Sequence, residues 1–357
     1  MDDKKVYIFT FIREAVFSGI SLIIPLLLFE RNVSLGTTGF ILSTLPFIFF
    51  IFRTLLGFIS DHTGYRNFFI SSSIFTVIST VFYCLANTPM MFAIGKAFEG
   101  MANSTYWAVN RLAIKSGDWA HKNQIMRAII AIAGGLSLFT SGMLIQSIGF
   151  ENTLAILTLL SFLLILPSVK MAGTRNEKSL KINFSLSKNS YLIGLGTLAN
   201  EMIWVFALPI YLRQINYSFI NIGIILAISY IVTGISTYFF SKKNYSTVIP
   251  AMLLEIPALI LMNVKSVFIF AVIIWSIGYG SFIDIVERLI TREARNSKTP
   301  SAVIAMTALP GNIGKFLSIF LAGYVAENYG FSRVFLFASI IFLIFGVTLE
   351  RDKKHFH

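Results

Sequence analysis

Charge is scarce in this sequence. Only 13% of its 357 residues are Asp, Glu, Lys or Arg, while 55% belong to the hydrophobic set; an ordinary soluble domain carries about 25% charged residues. A soluble fold of this length has no interior large enough for such a surplus. With 35 Phe spread along the chain, the apolar residues are suited to a lipid solvent rather than to one core. Cysteine is nearly absent. The single Cys84 excludes an intramolecular disulfide and a thiolate metal cluster, and it leaves the redox compartment unread. Histidine is equally sparse: His62, His121, His355 and His357 all lie in loops or the tail. No apolar run therefore offers an imidazole ligand, which argues against haem or copper electron transfer within a bilayer. A Gly-x-x-x-x-Gly-Lys-Ser/Thr phosphate cradle is also missing, and no nucleophile or metal cluster marks an enzyme. No cofactor, no metal and no enzymatic activity are expected.

Long apolar runs are what the sequence does have. They occupy about 6–29, 37–59, 67–86, 88–108, 126–147 and 150–168 and, after a polar stretch, about 191–212, 218–240, 247–263, 266–286, 301–325 and 331–349. Each has the length of a membrane-spanning helix, the form in which a segment satisfies its own backbone in hydrocarbon. The first run contains Arg13 and Glu14 and lacks a small-residue cleavage site, so it reads as a helix rather than a signal peptide. The fold class expected is an all-α, multi-pass integral membrane protein of twelve spans. Its parts are a six-helix bundle over 1–169, a linker over 170–190 and a second six-helix bundle over 191–357.

The net charge of +12 comes from basic residues in short loops, which is how orientation in a membrane is encoded, so no nucleic-acid partner is expected. With the N-terminus inside, 21 of the 29 Lys and Arg fall in cytoplasmic segments, four in outer segments and four within helices. Both termini are then cytoplasmic.

The two halves repeat each other. Pro25, Asn32, Ser34, Gly39, Ile41 and Leu42 match Pro209, Asn216, Ser218, Gly223, Ile225 and Leu226 at one constant offset, and Gly142, Gly149 and Phe150 match Gly323, Gly330 and Phe331 at another. Val109, Arg111, Leu112 and Lys115 likewise match Val286, Arg288, Leu289 and Arg292. Six spans leave both halves the same way up, so the repeat is parallel, with its axis along the membrane normal.

Between the second and third runs stand Gly57, Asp61, Gly64, Tyr65 and Arg66. With this spacing the segment resembles the signature loop of the major facilitator superfamily of secondary transporters, although Tyr65 departs from the usual first basic residue. The matching loop of the second half, Ser241 to Asn244, keeps the charge without the glycines. Lys96 and Gly100 fall where that family often has arginine and glycine. Gly134, Gly135 and Gly142 in the fifth run have no proline among them, so the glycine-proline signature of many antiporters is absent. The resemblance extends over the whole chain and implies transport of a small molecule by alternating access, by a monomer in the cell membrane. It also implies that Asp61 meets a helix N-terminus, that of the helix after Pro300, and latches the inner gate. The alternative for this loop is a solvated segment carrying topogenic charge.

Charges within spans are costly and therefore informative. They sit at Arg13 and Glu14 in the first run, Lys96 and Glu99 in the fourth, Glu201 in the seventh and Asp284 in the tenth; the resemblance implies that these four runs line a central cavity. Helical spacing sets Thr10, Glu14, Ser18 and Ser21 on one face, and Lys96, Glu99, Asn103, Tyr106 and Asn110 on another. Thr197, Glu201 and Trp204 form a stripe in the second half, with Trp275, Tyr279 and Phe282 on the tenth run. The candidate coupling or substrate site is thus Arg13, Glu14, Lys96, Glu99, Asn103, Glu201, Trp204, Trp275 and Tyr279. Ordinary aromatic packing and a self-neutralising Lys96–Glu99 pair are the alternatives at these positions, and Arg53 and Lys315 fit snorkelling or helix contacts. Glu255, in the ninth run, breaks the pattern. Glu14, about eight residues and roughly 12 Å into its run, is the expected coupling or substrate-charge group, with a fixed salt-bridge network that orients the first and fourth helices as the alternative. Efflux by an antiporter is the rival transport reading, and a non-transporting sensor or a membrane enzyme is the rival of another class.

Overall fold

The computed structural model describes residues 3–60, 64–114, 119–171, 188–294 and 300–351, and their regular structure is helical throughout. In the first half the helices are α1 (Asp3–Glu30), α2 (Leu35–Ser60), α3 (Tyr65–Leu85), α4 (Pro89–Ala113), α5 (Trp119–Phe162) and α6 (Ile165–Val169). The second half contains α7 (Lys188–Glu201), α8 (Leu208–Gln214), α9 (Phe219–Phe240), α10 (Tyr245–Leu253), α11 (Glu255–Leu261), α12 (Phe268–Ala294), α13 (Pro300–Tyr329) and α14 (Phe331–Arg351).

Among the described residues, nine segments are long and apolar enough to cross a membrane. One of them, Lys122–Val169, is 48 residues long and contains the reversal at Gly149. There φ is 82°, a left-handed value that glycine adopts without Cβ strain, and it divides α5 into two arms. Gly330, its partner in the repeat, has φ 79° and separates α13 from α14. The helix-ending Asn32 and Asn216 form the same kind of pair, with φ 55° and 69°; Asn is among the residues that best tolerate this region. α4 carries Lys96, Glu99 and Arg111 within its 25 residues, about 37 Å of helix at 1.5 Å per residue.

Two of the expected runs are interrupted. The seventh changes from α7 to a π-helical turn over Met202–Ala207 and then to α8. The ninth breaks at Leu254 into α10 and α11, with Pro250 shortly before the break and Pro257 after it. Such prolines are tolerated in membrane helices because neighbouring helices satisfy the freed backbone groups.

Helix α1 packs on α5, and α4 on α2 and α3; in the second half α7 packs on α13 and α9 on α12. Two crossings join the halves, α2 with α13 and α5 with α9. Each is a contact of glycine backbones. A Cβ on Gly39 would lie 2.8 Å from Gly323 Cα, and one on Gly142 would lie 3.0 Å from Gly223 Cα. These four glycines are repeat partners of one another, so the two crossings are related by the same internal symmetry as the sequence. The outer surface is apolar, with Leu159, Ile235, Phe270 and Leu343 among its exposed side chains.

Candidate functional site

Two adjoining cavities, of about 300 and 250 Å³, lie between the halves and share Trp107, Arg127, Glu201, Tyr279, Ile283 and Lys315 as walls. α1, α4, α7 and α12 all contribute to this wall. Glu14 lies on the side of the larger cavity. Its Oε1 accepts from Ser18 Oγ at 3.2 Å, one turn along α1, and from the Tyr230 hydroxyl of α9 at 2.6 Å. Its Oε2 faces Arg13 Nη1 at 3.3 Å.

Arg13 is fully enclosed behind Glu14. Its guanidinium lies 4.0 Å from the Tyr106 ring centroid and 4.3 Å from that of Phe17, and it donates to Asn103 Oδ1. Removing such a cation from water is costly, and ring faces, an amide oxygen and a carboxylate together offset that cost. Tyr106 is itself held by Thr10 at 2.9 Å. Glu99 Oε2 accepts from Lys96 Nζ at 2.8 Å and from the Tyr83 hydroxyl at 2.5 Å. Lys96 and Glu99 thus form a buried ion pair, with Glu99 also on the cavity wall.

In the second half Glu201 Oε1 pairs with Lys315 Nζ of α13 at 2.5 Å. The π-helical turn begins at the next residue, and its wider backbone carries Trp204 into the cavity wall; single π turns of this kind are frequent at functional sites. Trp204, Trp275 and Tyr279 stack in series, at centroid separations of 6.2 and 5.0 Å, and Tyr230 packs on Trp204 at 5.4 Å. Of the expected site residues, Glu14, Glu99, Glu201, Trp204 and Tyr279 line the cavities. Arg13, Lys96, Asn103 and Trp275 stand behind them as supports.

Tyr230, Trp107 and Asn312 belong to the wall without having drawn notice in the sequence, and Arg127, counted there only among the cytoplasmic cations, joins them. Asn312 Nδ2 is buried and has no hydrogen-bond partner among the described residues. Its sequence mark was faint: an amide three residues before Lys315, on one helix face.

Contacts between the halves bracket this space. At the basic end Glu287 Oε1 of α12 accepts from Arg111 Nη2 at 2.6 Å and also from Arg127 Nη2. The Ser60 and Ser301 hydroxyls meet there at 2.6 Å, and both reach Ala108 O. At the opposite end Arg213 Nε pairs with Glu30 Oε1 at 2.5 Å, and the Gly36 amide donates to Glu327 Oε2 at 2.5 Å.

Of the signature loop, Asp61 lies outside the described residues. Gly57 lets α2 approach α13, since a Cβ there would fall 2.6 Å from Ala305 Cβ. Gly64 is the extended N-cap of α3, and Arg66 is exposed in its first turn.

Glu255 is fully buried, and neither carboxyl oxygen has a hydrogen-bond partner among the described residues. Gly278 of α12 makes room for it: a Cβ there would lie 2.5 Å from Glu255 Cγ.

The sequence matches the family model of the Major Facilitator Superfamily over residues 6–309. The chain belongs to the Major Facilitator Superfamily. It is a multi-pass membrane transporter rather than an enzyme. No curated protein matches it significantly. Among solved structures, the human organic anion transporter MFSD10 (TETRAN) is 14% identical, with a TM-score of 0.73 over 97% of this chain and 98% of that one. The nucleoside transporter NupG is 14% identical, with a TM-score of 0.72 over 98% and 99% of the two chains. A bacterial homologue of the human lysosomal transporter Spinster, inward-facing and unoccupied, is 12% identical, with a TM-score of 0.74 over 97% and 95%. At such identities the likeness is one of fold, and this Major Facilitator Superfamily member's solute must be read from its own cavity.

Proposed function

We propose that this protein is a secondary active transporter that moves a small organic solute across the cell membrane by alternating access, with proton coupling at Glu14. Twelve spans in two six-helix bundles, with both termini cytoplasmic, are the architecture that goes with this reading. The observation that carries it is the hydrogen bond from Tyr230 to Glu14. A carboxyl on one half is held by a hydroxyl on the other, at the wall of the cavity along which the halves would part. Separation of the halves removes that donor and admits water, so the surroundings of the carboxyl change with conformation, as coupling requires.

The end contacts support the same mechanism. Glu287 with Arg111 and Arg127 holds one end, and Arg213 with Glu30 the other; neither set can persist while its own end is open. Between them the solute meets an aromatic platform of Trp204, Tyr230 and Tyr279, charges of both signs and the unpartnered Asn312 amide. Those groups suit a planar or amphipathic organic solute that carries polar substituents.

The test is Glu14→Gln, a nearly isosteric change that removes the titrating group. Uphill transport and its pH dependence should be lost while solute exchange or ligand binding survives. Uphill transport with unchanged pH dependence in that variant would make Glu14 structural and move the coupling group to Glu99 or Glu201.

A further inference from the structure

A further cavity is larger than either central one. It is a cleft of about 880 Å³ at the basic end, between α5, α9 and α12, within the roughly 300–1,000 Å³ usual for ligand pockets. Its two sides differ in chemistry. Ile132, Ile231 and Ile235 form one side and are exposed to 55%, 41% and 63%, so in a bilayer this side opens onto acyl chains. The other side is polar, with Gln124, Ser241, Thr291 and Arg292.

The charges of the cleft do not cancel. Asp284 is paired with Arg288, and Glu287 is held by Arg111 and Arg127. Arg292 is exposed and has no carboxylate partner among the described residues. Lys242, next to the lining residue Ser241, stands at the rim of the cleft. Lys242 is fixed over the Tyr238 ring at 4.3 Å, and Tyr238 itself lines the cleft. Arg292 and Lys242 thus stand at one end of a cleft that carries Ile132, Ile231 and Ile235 further along α5 and α9.

The cleft abuts the larger central cavity, with which it shares Arg127, Ala131, Gly234 and Thr237. α5 and α9 touch where Gly234 meets Ala131, so closely that a Cβ on Gly234 would fall 2.4 Å from Ala131 Cβ.

We propose that this cleft binds an anionic phospholipid from the leaflet at the basic end, with its phosphate on Arg292 and Lys242 and an acyl chain along Ile132, Ile231 and Ile235. Charge and shape favour this occupant. A soluble anion would gain nothing from the aliphatic wall, and a neutral lipid would leave the cations unmatched; basic pockets between membrane helices recognise lipid head groups in this way.

The experiment is thermal unfolding of the purified full-length protein in detergent, titrated separately with phosphatidylglycerol, with phosphatidylcholine of the same acyl chains, and with glycerol phosphate. Phosphatidylglycerol should raise Tm in proportion to the logarithm of its concentration, as a ligand of the folded state does, with little effect from the other two. The double variant Arg292→Gln, Lys242→Gln should need about tenfold more phosphatidylglycerol for the same shift. Ile235→Trp, which fills the groove and leaves the cations in place, should weaken the shift as well. Equal shifts from both lipids, a full shift from glycerol phosphate, or an undiminished phosphatidylglycerol shift in both variants would overturn the proposal. Should a variant fail to fold, crosslinking of the unaltered protein by phosphatidylglycerol with a photoreactive acyl chain decides the matter: label on the α5 or α9 peptides that carry Ile132, Ile231 and Ile235 supports the site, and label elsewhere rejects it.

Discussion

Tyr230 and Glu14 are 216 positions apart and meet at 2.6 Å, the hydroxyl of one half donating to the carboxylate of the other. The bond ties the conformation of the interface to the charge of a buried acid. Tyr230→Phe keeps the ring on Trp204 and removes only the donor. In membrane proteins such a bond contributes about 0.6 kcal/mol on average and up to about 1.7, so transport should persist with its pH profile displaced and its rate altered a few-fold. A profile superimposable on that of the unaltered protein would show that Tyr230 serves only as packing.

Glu287 is the acceptor shared by Arg111 and Arg127. Glu287→Gln should weaken closure at the basic end, leaving two cations without their counter-charge. A cysteine at Thr197, on the wall of the smaller cavity, should then be labelled faster from that side in a Cys84→Ser background. Unchanged labelling would mean that the Ser60–Ser301 contact alone holds the end shut.

The glycine crossings limit how closely the halves approach at the other end. Gly323→Val places a branched side chain against Gly39, and overpacking of this kind costs about 1–3 kcal/mol. Closure there should suffer while each half stays folded. A cysteine at Val205 should become more reactive from the end that carries Arg213, and transport should fall. Wild-type reactivity with wild-type transport would argue that this crossing does not form in the working cycle.

Glu255 has full burial and no hydrogen-bond partner among the described residues. An unsatisfied buried polar group costs about 1–3 kcal/mol. Glu255→Leu should therefore raise stability, by a few degrees in Tm, if the acid has no other duty. If transport is lost while Tm rises, the carboxyl has been retained for function at the expense of stability.

Much of the scaffold is legible in the sequence because its causes are local or periodic. Apolar runs mark helices, since each span satisfies its own backbone in lipid. The repeat placed Asn32 with Asn216 and Gly149 with Gly330, and these are the residues with left-handed backbone; a turn of this kind depends on which side chain stands at one position. The matched pairs Gly39 with Gly223 and Gly142 with Gly323 also marked four special positions, although their partners across the interface could not be read from them.

The charged residues of the site were equally visible, because an ionisable group inside an apolar run stands out whatever it touches. Glu14, Glu99 and Glu201 line the cavity wall, where Lys315 pairs with Glu201. Tyr230 was not visible. It lies in an apolar run among residues of similar hydropathy, and nothing along α9 announces a hydroxyl aimed at another half. The π-helical turn after Glu201 and the break before Glu255 escaped for a related reason. Both depend on how α7, α11 and α12 pack, and a sequence that favours helix throughout does not record where the hydrogen-bond ladder slips.

The sequence by itself thus determined the family, the helices, their turns and the identity of the buried charges, since membrane solvation acts on each segment separately. Only the tertiary structure decided that Glu14 faces Tyr230, that Glu201 pairs with Lys315, and that Glu287 rather than a nearer acid holds Arg111 and Arg127. Those contacts join residues 114 to 216 positions apart, or, for Arg111 and Arg127, 176 and 160. They follow from the rotation and tilt at which whole helices cross, a property of the packed assembly that no single segment carries.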